Sequence, residues 1–365
     1  MSRIRTMDDW TDYFHGWLDD IGMKSDAVRS YRFEAKYDVL PTDEILHGDF
    51  RGQRRWERVM EVPDQRVRDA LLNLIVYQGD TEFASVEQQR FLFDSAPSEH
   101  DLSSLVRVMT EEIRHGYQMC DVLMNHFGDS GRVEAQKMLE RRSFKNTRLL
   151  GSFNVDVANW IDFFVYTQFV DRDGKFQLKM LSFSAFAPLA RSMGPMLKEE
   201  SFHLGTGNNG LRRIVQAGKI PIPLLQKYFN KWVPTAYDLF GNDDSSSAHW
   251  AYVWGLKGRF DEDSNPAPAD RAHLNETSRH LYHEEVLGLI DTLNRLVPAG
   301  QPKLYAPDVR FHRSIGKHVG ETWSATGEKL SPEAYSRHLE EALPTPADVA
   351  AATALLKSND WIAPK

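Results

Sequence analysis

The 365-residue chain has one cysteine, Cys120. No disulfide can close within it, and cysteine-ligated zinc or iron–sulfur sites are excluded. It also lacks any apolar run of about 18 residues, so no membrane-spanning helix is predicted. The opening segment, with Arg3 and Arg5 followed by Asp8 and Asp9, has no apolar stretch of the kind a secretory signal needs. A reducing, cytoplasmic setting is the expectation. Positive charge is in deficit: 44 Lys and Arg stand against 52 Asp and Glu, a formal charge of −8. That balance disfavours nucleic acid as a partner. The alternating polar and apolar pattern of strands is almost missing.

Helical patterning dominates what remains. Apolar positions from Val67 through Leu71, Leu74 and Ile75 continue past Glu82 to Phe91, and Asp94, Ser95 and Pro97 end the run. Ser98 and Glu99 start a second helix that carries Leu105, Met109, Ile113 and Leu123 to Phe127. Gly128-Asp129-Ser130-Gly131 reads as a stop, and 132–154 carries a further helical pattern and a loop near Gly151. A strongly apolar helix is expected over about 155–177 and a further one over about 178–205. Later helices are expected near 222–239, 268–297, 332–342 and 345–357. The chain reads as all-α. Residues 1–64 form an N-terminal extension of short helices and loops, 65–240 a helical bundle, and 241–365 further helices with an irregular extension.

The pattern Glu-x-x-His occurs three times, and residues i and i+3 share a helix face. One occurrence means little: with 13 histidines and glutamate at about 6–7%, roughly one match arises by chance. Spacing discriminates among the three. Glu112-Ile113-Arg114-His115 follows Glu82 by 30 residues, and Glu200-Ser201-Phe202-His203 follows Asp171 by 29. Each half reads as a carboxylate on one helix, a turn, and Glu-x-x-His on the next at the same level. Two such halves bring Glu82, Glu112, His115, Asp171, Glu200 and His203 together in the pattern of two-metal carboxylate bundles. Glu87 competes with Glu82, and Asp162 and Asp173 compete with Asp171; the matched spacings favour the first choices. Glu44-x-x-His47 has no carboxylate partner at that spacing and is read as incidental, and His280 and His283 as surface or structural.

Four carboxylates neutralise two Fe(II) ions, and imidazole suits iron while leaving room for dioxygen. The expectation is therefore two iron ions with dioxygen as co-substrate. Glu111 and Glu199 each precede a ligand glutamate. They are candidates to accept the second N–H of a ligand imidazole, in a crosswise arrangement, with Arg114 anchoring one of them. Gly116 and Ala84 leave space for oxygen or substrate, or simply allow close helix packing. Gly205-x-Gly207-x-x-Gly210 has dinucleotide-fingerprint spacing but follows a helix rather than a strand. It reads as a bend after the fourth bundle helix. No flavin or iron–sulfur motif is present, so a separate electron donor is required.

Glu111-Glu112-Ile113-Arg114-His115 resembles the signature of bacterial di-iron monooxygenases. Lys198-Glu199-Glu200-Ser201-Phe202-His203, Trp232-Val233-Pro234 and Leu239-Phe240-Gly241-Asn242-Asp243-Asp244-Ser245 resemble the ring-epoxidising acyl-CoA oxygenases. That family includes the catalytic subunit of phenylacetyl-CoA epoxidase and the oxygenase component benzoyl-CoA 2,3-epoxidase. Aspartate as the third carboxylate, Asp171, also fits it better than the ferritins. A softer likeness to the benzoyl-CoA branch runs through Phe311-His312-Arg313-Ser314-Ile315-Gly316, Leu343-Pro344-Thr345-Pro346 and Asp360-Trp361-Ile362-Ala363-Pro364. Against that family the chain reads as shorter at both ends. The resemblance implies a ferritin-like four-helix bundle that takes NADPH electrons from a separate reductase. It further implies that one oxygen atom adds across a ring double bond of an aryl-CoA thioester, benzoyl-CoA first, while the other leaves as water. Other readings are a di-iron oxygenase acting on another arene or an amine in a biosynthetic pathway, or a ferroxidase.

Overall fold

The computed structural model describes residues 2–264, 274–358 and 360–365. Among them the architecture is all-α, with pairing of the β type confined to isolated bridges such as Trp56 with Phe186. Among the described residues, no helix is long and apolar enough to cross a membrane.

Four long helices build a ferritin-like bundle: α3 (Gln65–Gln89), α4 (Glu99–His126), α6 (Trp160–Leu181) and α7 (Ala187–Ala217). Local chemistry sets where they begin. The Asp64 carboxylate accepts from the Arg66 N–H, Ser98 Oγ from the Asp101 N–H, and Asn159 Oδ1 from the N–H groups of Ile161 and Asp162. Each satisfies a donor that the first helical turn leaves open. Gly218, at φ +65°, ends α7 in the left-handed conformation. α3 pairs with α4 and α6 with α7, and α4 packs on α7 to join the two pairs.

Two expectations need correction. The stop at Gly128–Gly131 is a one-residue break: α4 ends at His126 and α5 (Gly128–Glu140) starts at once. The expected bend at Gly205–Gly210 does not exist, because α7 runs straight through it. Gly207 and Gly210 serve packing. A Cβ on Gly207 would stand 2.6 Å from the backbone nitrogen of Gln168, and one on Gly210 would overlap the Phe164 ring. Missing side chains let α7 press against α6, as small residues do wherever helix backbones approach closely.

Outside the bundle, α1 (Met7–Asp20) buries Trp10, Phe14 and Trp17 against it, the Trp17 ring meeting Phe83 edge-on at 5.5 Å. α2 (Asp26–Arg29) follows. α8 (Ile222–Leu239) covers α6 through Phe229 on Phe169 and Trp232 on Tyr166, both edge-on at 4.9 Å. α9 (Ser246–Val253) packs on α3, and α10 (Leu274–Asn294) packs on α6, α7 and α9. The 268–273 part of the helix expected over 268–297 lies outside the described residues. α11 (Pro332–Ala342) and α12 (Pro346–Leu355) complete the order.

Candidate metal centre

The two Glu-x-x-His pairs face each other across the α4–α7 contact. Glu82, Glu112 and His115 form one group whose ligand atoms lie within 4.8 Å of one another, and Glu112, Glu200 and His203 form a second. Glu112 belongs to both, so it stands between two positions that could each hold a metal ion. The imidazole centroids are 5.9 Å apart. His115 Nδ1 is 3.4 Å from Glu82 Oε2, and His203 Nδ1 is 3.2 Å from Glu112 Oε1 and 3.5 Å from Glu200 Oε2. Asp171 is buried nearby with Glu200 acting on its charge, but it lies outside the two tight groups.

The other ring nitrogens point away from the cluster. His115 Nε2 lies 2.9 Å from Glu199 Oε2, and His203 Nε2 lies 3.1 Å from Glu111 Oε2. Each imidazole thus meets a carboxylate on the opposite helix. The carboxylates are anchored in turn. Arg114, fully buried, donates to Glu199 through Nε at 2.7 Å and through Nη2, Lys36 Nζ donates to Glu199 at 3.2 Å, and Arg107 Nε donates to Glu111 at 2.8 Å. Burial opposes the charge of Glu199, yet the His115 hydrogen bond and Arg114 outweigh it and hold its carboxyl down at about 2. Glu199 is therefore an anion that fixes His115 with Nε2–H outward and the Nδ1 lone pair inward.

Inside the cluster the electrostatics are strained. Burial and the charge of Glu82 push the Glu112 carboxyl well above the usual carboxylate range, and burial and Glu200 do the same to Asp171. His203 is raised as well: burial disfavours its cation, but Glu200, Glu111 and Glu112 together lift it well above an ordinary histidine. Four buried atoms here have no hydrogen-bond partner among the described residues: His115 Nδ1, His203 Nδ1, Asp171 Oδ2 and Glu200 Oε2. Buried polar atoms left unpaired are costly. All four are metal-donor atoms, and together with Glu82 and Glu112 they match the hard carboxylate and imidazole set that suits iron.

The competitors are engaged elsewhere. Glu87 pairs with fully buried Arg148 at 2.9 Å and accepts from the Ser143 N–H. Asp162 pairs with Lys231 at 2.7 Å and accepts from the Trp232 indole N–H. Asp173 accepts from Gln177 at 2.8 Å. Glu44 is exposed, whereas His47 is buried against the Tyr252 ring, with Arg55 and Arg259 as the charged groups acting on it. His283 bonds Tyr237 at 2.6 Å, and His280 sits on the surface beside Glu284. A Cβ on Gly116 would meet the Phe83 ring at 2.6 Å, and Ala84 is wholly buried, so both are packing residues rather than substrate space. Sequence reading missed Gln78, which donates to Glu82 at 2.5 Å, and Arg107. Both are i,i+4 partners and were findable on that ground. Lys36, from a distant extended segment, left no such signal.

A cavity of about 660 Å³ reaches the cluster. Glu82, Glu112, Asp171 and Glu200 line its floor. Leu74, Tyr77, Phe153, Val170, Leu181 and Phe240 give it apolar walls, and Asn242, Ser245, Lys257 and Asn275 a polar far end.

Residues 58–263 match the family described as Phenylacetic acid catabolic protein. The chain is 34% identical, over 417 aligned positions, to benzoyl-CoA oxygenase component B of Aromatoleum evansii, covering 94% of this chain and 87% of that one. It is 26% identical over 256 positions to one of the subunits of 1,2-phenylacetyl-CoA epoxidase from Escherichia coli (strain K12), covering 69% of this chain and 74% of that one. With its matched bundle and this degree of likeness along nearly its whole length, the chain belongs to the phenylacetic acid catabolic protein family.

Proposed function

We propose that this protein is the oxygenase component of a di-iron system that epoxidises the aromatic ring of an aryl-CoA thioester, with benzoyl-CoA as its substrate. The observation that carries this reading is the cavity: it joins four buried carboxylates to an apolar chamber large enough for an aromatic acyl group. Glu82, Glu112, His115, Asp171, Glu200 and His203 would hold the two ions. Bound there, the iron pair would supply the electrons that activate dioxygen, so that one atom enters the ring and the other leaves as water.

The protein's own work is arrangement. Glu111 and Glu199 hold both imidazoles with the inward nitrogen free. Gln78 steadies Glu82. The apolar walls keep water from the reacting face of the ring beside the carboxylates. Binding of the thioester arm farther out holds the ring in place, so that remote contacts contribute to orientation. Electrons come from a separate NADPH-dependent reductase, and the reaction belongs in the cytoplasm, where acyl-CoA thioesters and the reductant are found together.

Turnover with a panel of CoA thioesters under labelled dioxygen tests the proposal. One labelled atom should enter the benzoyl ring, and iron analysis should give about two ions per chain after anaerobic loading. If benzoyl-CoA neither binds nor accelerates oxygen consumption while another arene or an amine does, the reading of the substrate fails.

A further inference from the structure

The cavity's second polar group sits away from the carboxylate cluster. Asp173 and Gln177 contribute to it from α6, Lys257 from the loop after α9, and Asn275 from the first turn of α10. Lys257 Nζ donates to Gln177 Oε1 at 2.6 Å, and Gln177 Nε2 donates to Asp173 Oδ1 at 2.8 Å. The amide of Gln177 is thus oriented by Asp173, with its oxygen turned to the amine.

No carboxylate among the described residues is in ion-pair contact with Lys257; Asp173 and Asp243 act on it from farther off. Burial pulls its pKa down to about 8, which leaves it protonated at neutral pH. An ammonium has three N–H donors, and Gln177 takes one. Lys257 is part-exposed and lines the cavity, so its remaining N–H donors are open to an oxygen lying there. Neutral glutamine fixes the amine without cancelling its charge, which an aspartate in contact would do.

Position narrows which oxygen. Gln177 follows Asp171 by six residues on one helix, a rise of about 9 Å. A ring lying against Glu82, Glu112, Asp171 and Glu200 would have that level of the cavity open to its acyl carbonyl. We propose that Lys257 is a positioning residue for the acyl thioester, its ammonium donating a hydrogen bond to the thioester carbonyl oxygen while Gln177 and Asp173 hold the amine in place. This rests on the aryl-CoA reading above and deepens it: the site selects acyl thioesters over arenes that carry no carbonyl.

The test is binding, measured by calorimetry on the full-length iron-loaded protein without reductant. Its two probes are benzoyl-CoA and S-benzyl-CoA, the thioether in which a methylene replaces the carbonyl. The wild type should bind the thioester about ten- to a hundredfold more tightly, the difference expected of one hydrogen bond from a charged donor. Lys257→Met should erase that preference while leaving thioether affinity within about twofold, since only the donor is lost. Lys257→Gln, which keeps a weaker donor, should retain part of it and replaces the Met variant if that one fails to fold. A wild type without the preference, or a Lys257 variant that keeps all of it, overturns the assignment and leaves the aryl-CoA reading standing. A wild type that binds neither compound overturns that reading itself.

Discussion

His115 Nε2 and Glu199 Oε2 lie 2.9 Å apart on different helices, and the same relation recurs in mirror form between His203 and Glu111 at 3.1 Å. The two glutamates that precede the candidate ligands Glu112 and Glu200 therefore serve each other's histidine, not their own. One consequence is rigidity: the α4–α7 contact cannot slide without breaking both bonds at once. The anchors differ, however. Behind Glu199 stands Arg114, wholly buried, and behind Glu111 stands Arg107, whose side chain is 53% exposed.

That difference separates two variants. Glu199→Ala and Glu111→Ala should each weaken metal binding by about 10- to 100-fold, because the imidazole loses its orienting acceptor. Only Glu199→Ala leaves a buried guanidinium without its counter-ion, so its melting temperature should fall much further. Calorimetry with Co(II) and thermal melting measure the two effects. Equal melting losses, or unchanged metal affinity, would contradict the picture.

Glu112 lies in both ligand groups and Glu82 in one. Glu112→Ala should lower the bound metal at both positions, whereas Glu82→Ala should spare the one built on Glu112, Glu200 and His203. Glu87→Ala is the contrasting case. It breaks a fully buried pair with Arg148, at a cost of about 3–5 kcal/mol, and should leave the metal stoichiometry unchanged. Iron content after anaerobic loading, set beside chemical denaturation, distinguishes the three. Metal loss in Glu87→Ala under conditions where it stays folded would return that residue to the ligand set.

Gly210→Ala tests the close approach of α6 and α7. The added methyl collides with the Phe164 ring, and relief by a small helix shift should cost about 1–3 kcal/mol. Gly205 has nothing within 4 Å of an added Cβ, so Gly205→Ala in the same helix should be neutral or slightly stabilising. Were these glycines a hinge, both substitutions would destabilise; the urea midpoints of the two variants decide it.

His47 provides a pH prediction outside the metal centre. Burial pulls its pKa down to about 4. The unfolded chain takes up this proton near pH 6.5 while the folded chain resists until about 4, so stability falls as pH drops through that window. The shift corresponds to about 3 kcal/mol at most. His47→Phe removes the group, so its loss of stability between pH 6.5 and 4 should be smaller than the wild type's by up to that amount. Parallel pH-dependent denaturation curves would show that His47 does not titrate as described.

Much of this fold was legible in the sequence because its signals are local. An apolar repeat of 3.6 residues and the caps at Asp64, Ser98 and Asn159 mark the long helices. The i,i+3 rule puts Glu112 with His115 and Glu200 with His203, and matched spacings bring Glu82 and Asp171 to their level. Choices that depend on another helix were not legible. Whether Gly207 and Gly210 bend the chain or admit a neighbour is decided by Gln168 and Phe164. Whether Glu87 faces metal or an arginine is decided by Arg148, 61 residues away. The cavity and Lys257 at its polar end emerge only once α3, α6, α9 and α10 are assembled, since a void is bounded by residues with no relation in sequence. Periodicity and capping act within a few residues and so are written in the chain, whereas exclusion of volume and pairing of buried charge act across contacts that exist only after the helices pack.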